Sequence, residues 1–170
     1  MTADEIRRYL TELDEELRKT GVKGEVSLYG GAVMCLVFDA RPATKDVDAI
    51  FRPVADIRSA IKRIAARHSL PDDWLNDGVK GYLVEHEQRV LFEFPNLVVF
   101  VPEPDYLLAM KTLSARVDTF DQADVKLLIE KLGLRTPAEV FAIVEEYYPR
   151  HQIKPATQYF IEELFENDNA

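Results

Sequence analysis

Two short stretches carry the residue types that could do chemistry: Tyr29-Gly30-Gly31-Ala32, and then Thr44-Lys45-Asp46-Val47-Asp48. The glycine pair falls between a predicted strand, 25–29, and a predicted helix, 32–38. Asp46 and Asp48 lie in an apolar run that ends at Phe51. Side chains at i and i+2 of a strand share a face. Two carboxylates there repel each other unless something positive lies between them. Mg²⁺ (or Mn²⁺) suits that place, because it takes oxygen ligands from one or two carboxylates together with substrate phosphates. Glycines opening a helix permit close backbone approach, and the free N–H groups at a helix start attract phosphate. An acidic pair beside a phosphate cradle points to nucleotide chemistry.

Each stretch also has a plainer reading. Gly30-Gly31 could be a tight strand-to-helix turn with no ligand. Asp46 could simply begin a strand, and Asp48 could form an ion pair with Lys45 or Arg52. Trp74, beside Asn76 and Asp77, reads as a structural plug and turn rather than a base-stacking platform. The basic face of Arg58, Lys62, Arg63 and Arg67 reads as a solvated helix surface, with guidance of tRNA or another polyanion as the alternative.

Composition bounds these readings. At 170 residues the chain suits one domain with a sizeable core, or one domain plus a helical appendage. Hydrophobic residues at 47% and charged residues at 30% are ordinary for a folded protein. No stretch approaches the roughly 20 apolar residues of a membrane span, and the acidic, amphipathic start is unlike a signal peptide. The single cysteine, Cys35, cannot form an internal disulfide, so a reducing cytoplasm is the expected compartment. One cysteine and three scattered histidines, His68, His86 and His151, lack zinc-site spacing. A formal net charge of −9 argues against broad electrostatic binding to nucleic acid.

The elements that must position the two stretches follow from periodicity. Ile6, Tyr9, Leu10, Leu13 and Leu17 recur at helical spacing, so the first helix runs to about Lys19 and stops before Gly21. Arg41-Pro42-Ala43-Thr44 makes a connector, since proline ends a helix. Residues 45–51 read as the second strand, and 55–68 as an amphipathic helix. A polar stretch, 71–78, precedes two strands, 90–94 and 97–101, separated by Pro95-Asn96. From Pro104 the chain reads as helical, and Pro104 itself fits a first turn. Thr119-Phe120-Asp121-Gln122 has capping-box spacing, with Gly133 placed to end that helix. Thr136-Pro137-Ala138-Glu139 is a second, stronger helix start, and a last helix covers about 156–166. The expected fold is α/β (α+β): a core at 1–102, with a helical region at 103–170 packed on it.

Strand, Gly-Gly, helix, then an Asp-x-Asp strand resembles the nucleotidyltransferase fold of polymerase-β-like enzymes. The fuller set resembles small bacterial nucleotidyltransferase-like proteins related to abortive-infection and toxin–antitoxin toxins. Besides the two stretches, its carriers are Leu70-Pro71-Asp72-Asp73-Trp74-Leu75-Asn76-Asp77, Leu107-Leu108-Ala109-Met110-Lys111, and Asp121 with Asp124 ahead of 125–128. The resemblance spans about 26–148.

It implies a mixed sheet flanked by helices with a C-terminal helical bundle. It also implies Mg²⁺-dependent transfer of a nucleoside monophosphate from an NTP to a hydroxyl of RNA, tRNA included, or of protein. Asp46 and Asp48 would hold the metal, Gly30 and Gly31 would admit the β- and γ-phosphates, and Lys111 would add a positive charge near them. Asp121 and Asp124 would belong to the same cleft, with the Lys111 ammonium near them and pointing towards Asp46 and Asp48. A cognate antitoxin would be a partner if the protein is such a toxin. The polymerase-β pattern wants a third carboxylate on a neighbouring strand, where 97–101 carries none; Glu93 and Glu103 are the nearest candidates. The competing class is a non-catalytic domain of the same fold that binds a nucleotide or a partner protein, as an antitoxin or scaffold. A third is a purely structural domain whose acids are ion-paired.

Overall fold

In the computed structural model, residues 1–115 and 120–168 are described. Helix α1 (Ala3–Thr20) is closed at both ends by its own sequence. The Thr2 hydroxyl accepts from the Glu5 N–H at 3.2 Å, and the Glu5 carboxylate accepts from the Thr2 N–H at 2.8 Å. This reciprocal pair satisfies two N–H groups that the helix cannot bond internally. Gly21, at φ 68, ends the helix in a conformation that needs no Cβ.

The elements then run β1 (Gly24–Tyr29), α2 (Gly30–Leu36), β2 (Val47–Arg52), α3 (Val54–His68), β3 (Leu75–Asn76), β4 (Gln88–Glu93) and β5 (Leu97–Pro102). The five strands form one mixed sheet ordered β3-β2-β1-β5-β4. Strand β1 is antiparallel to β2 and parallel to β5, while β4 is antiparallel to β5. The chain is thus of mixed α/β class, as its element pattern predicts.

Alternation along the strands makes one sheet face the core. Val26 and Leu28, Val47, Ala49 and Phe51, and Leu97, Val99 and Val101 are all buried. Ile6, Leu10, Leu13 and Leu17 of α1 and Ile57, Ile61 and Ile64 of α3 are buried with them. Each such side chain contributes roughly 1.5–3 kcal/mol by leaving water. Trp74 plugs the same unit: it is 1% exposed and its indole N–H donates to the Ile61 carbonyl at 3.1 Å.

Two boundaries differ from expectation, both near the chemistry. Helix α2 begins at Gly30 rather than Ala32, so the glycines form its first turn. Strand β2 begins at Val47, leaving Asp46 in the bend before it. The Thr44 hydroxyl donates to the Asp46 carbonyl at 3.2 Å, a local bond that holds the bend.

The chain divides into two compact units, Met1–Leu83 with Gln88–Pro102, and Val84–Glu87 with Glu103–Ala170. The second contains α4 (Pro104–Ser114), α5 (Phe120–Leu132), α6 (Pro137–Tyr147) and α7 (Pro155–Asp168). Helix α4 opens with proline, α5 ends at Gly133 (φ 67), and α6 carries the predicted Thr136–Glu139 capping box. The predicted cap at Thr119 lies outside the described residues. Tyr106, Leu107, Leu108, Val125, Leu128 and Val144 are buried in this unit's own core. Among the described residues, no helix is long and apolar enough to cross a membrane.

Candidate functional site

The sheet unit brings the glycine turn and the acidic stretch together. Tyr29 is extended (φ −139, ψ −179), and Gly30 follows it at φ 62, a region that L side chains rarely enter. A Cβ on Gly30 would stand 2.7 Å from Asp48 Oδ2. A Cβ on Gly31 would stand 2.5 Å from Thr44 Oγ1 and 3.2 Å from Arg41 Nη1. Both glycines are therefore required by close approach of the following loop and strand. In register, Asp48 lies between Tyr29 of β1 and Asn76 of β3.

Asp46 and Asp48 occupy half-buried positions of an alternation in which Val47 and Ala49 are buried. Asp48 thus faces away from the core, as the carboxylate of a site must. Two carboxylates are the hard oxygen donors that Mg²⁺ or Mn²⁺ takes, so the residues present fit such an ion with the remaining ligands supplied by phosphate and water. Arg52, offered above as an ion-pair partner of Asp48, reaches Glu25 at 3.4 Å.

The loop carrying Arg41 and Thr44 is tied down along its length. Ala40 N–H donates to the Met34 carbonyl at 3.0 Å, and Thr44 N–H to the Met1 carbonyl at 2.9 Å. Ala43 bridges Thr2 in antiparallel fashion. From sequence, Arg41 reads only as part of a connector, and Thr44 both ends that connector and opens the acidic stretch. The available signal was position, since a cation and a hydroxyl immediately preceding an acidic pair share its surroundings.

The helical unit gathers the other three predicted residues. Lys111 Nζ lies 2.9 Å from Asp121 Oδ1 and 2.8 Å from Asp124 Oδ2. The Lys111 side chain is 8% exposed and that of Asp124 only 4%, so each charge depends on the other for its burial. Asp121 and Asp124 are three apart on α5, which sets both on one face.

The basic face of α3 is largely neutralised. Arg63 Nε donates to Glu16 Oε2 at 2.8 Å, and Arg67 reaches Glu16 and Glu12 at 2.7 and 2.8 Å. Arg58 pairs with Asp77 at 3.1 Å. Burial alone would raise the Glu16 carboxyl. Hydrogen bonds from Arg67, Arg63 and Lys19 outweigh that and hold it at about 2. His68 Nε2 lies 2.8 Å from both Glu12 oxygens, which makes this histidine part of the same seam.

The two substitutes for a third carboxylate sit elsewhere. Glu93 is exposed on β4, opposite Val98. Glu103 is the residue before α4, on an open groove of about 710 Å³ within the helical unit. Glu85, His86, Glu87, Asp105, Leu132 and Tyr147 line that groove too. His86 stacks on Tyr106 with centroids 3.8 Å apart, and Tyr147 Oη donates to Asp105 Oδ2 at 2.7 Å. Burial, and then that bond to Asp105, push the Tyr147 phenol well above its ordinary range. Four separated stretches of chain build the groove, so no single sequence motif announces it. No family model, no curated protein and no solved structure matches this chain.

Proposed function

We propose that the protein binds a nucleoside triphosphate as its Mg²⁺ complex over the β1–α2 turn and transfers the nucleoside monophosphate to a hydroxyl of RNA or protein. The observation that carries this reading is the approach of Asp48 to Gly30, 2.7 Å from where a Cβ would be. It supports a site in which an acidic strand meets a turn stripped of side chains. Asp46 and Asp48 would hold the metal, which when bound neutralises phosphate charge and assists the leaving pyrophosphate. Gly30 and Gly31, having no side chains, would let the phosphate chain approach the backbone. The acceptor oxygen bonds to the α-phosphorus, the bond from that phosphorus to the bridging oxygen breaks, and pyrophosphate leaves with the electron pair. The acceptor's proton passes to water. The resemblance to toxin–antitoxin toxins adds a cognate antitoxin as the proposed partner.

One observation favours a second reading, a nucleotide- or partner-binding module without catalysis. Strand β5, next to β1, runs Leu97-Val98-Val99-Phe100-Val101-Pro102 and has no acid. Two measurements decide. Mg²⁺ with an NTP at 100 times its dissociation constant should stabilise the fold by about 2.7 kcal/mol, and Asp48→Asn should abolish that. Each α-labelled NTP, incubated with Mg²⁺ and bacterial RNA, should label RNA or the protein, and Asp46→Ala should not. Binding without transfer selects the second reading; no binding removes both.

A further inference from the structure

We draw no further inference here: the strongest candidate, the groove of the helical unit lined by Glu85, Glu87, Glu103 and Asp105, is an acidic cluster at the start of α4, and nothing else among the described residues points to a ligand there.

Discussion

Asp46 with Asp48 and Asp121 with Asp124 are closely spaced pairs, and the two units treat them differently. In the helical unit, Asp121 and Asp124 close on the Lys111 ammonium, and two of the three side chains are almost wholly buried. In the sheet unit, Asp46 and Asp48 stay half-buried on the outward side of their alternation, against a turn without side chains. The first arrangement carries its cation within its own unit and is built for permanence. The second sets Asp48 on the outward side of the sheet, against a turn that carries no side chains of its own. Similar residues thus acquire different duties through burial and through what stands opposite them.

The comparison breaks most visibly at Lys111. Lys111→Ala leaves Asp124 buried without its cation and should destabilise the fold by about 3–5 kcal/mol in denaturant titration. Full stability in that variant would mean the cluster is not structural. Replacing Lys111 with Met together with Asp121→Asn and Asp124→Asn should recover most of the loss, since no charge then remains buried.

Glu16 offers an acid of the sheet unit that behaves like the helical pair. Its folded carboxyl is held at about 2 against an ordinary 4.5. A depressed pKa contributes stability above the unfolded value and loses it as pH falls through the folded one. Stability should therefore drop by about 3 kcal/mol between pH 4.5 and 2 through this group alone. Glu16→Gln should flatten that segment of an acid titration; an unchanged curve would show that the seam of α1 and α3 adds nothing.

Gly30→Ala sharpens the other side of the comparison. The backbone at φ 62 and the 2.7 Å approach of Asp48 oblige both turn and carboxylate to move, at a cost of about 1–3 kcal/mol. The smallest effect belongs to Asp48→Asn, which keeps shape and loses charge. Its unliganded stability should change by less than about 1 kcal/mol, as for most substitutions at part-exposed sites, while any metal-dependent nucleotide shift disappears. A large loss of stability there would assign Asp48 to the architecture instead.

Sequence was most legible where local chemistry decides structure. Proline at Pro104 and Pro137, glycine at Gly21 and Gly133, and the cap at Thr136 all act within a few residues, and the helices begin and end there. The strand alternation of β5 and the mixed α/β class were readable for the same reason. What escaped depends on contacts distant in sequence. Glu12 and Glu16 meet Arg63 and Arg67 across about fifty residues, so a face that looks basic on a helical projection is largely neutralised. The two-residue strand β3 exists because Val47 and Asp48 pair with Leu75 and Asn76, in a stretch too polar to read as a strand. Arg41 looked like linker because its nearness to Gly31, ten residues earlier in the chain, appears only in the fold.

The division of the chain has a genetic consequence. Residues Val84–Glu87 belong to the helical unit, yet the chain returns to the sheet unit from Gln88 to Pro102 before leaving it again. Val84 N–H donates to Tyr106 Oη at 3.2 Å, and His86 lies flat on the same ring, so the short insert packs with the later segment. No single breakpoint in the gene can therefore separate the two units cleanly. A truncation after Pro102 strands the insert, and one before Val84 removes two strands from the sheet. A crossover after Pro102 would carry the whole sheet unit but split the helical one, separating Val84–Glu87 from the segment they pack with.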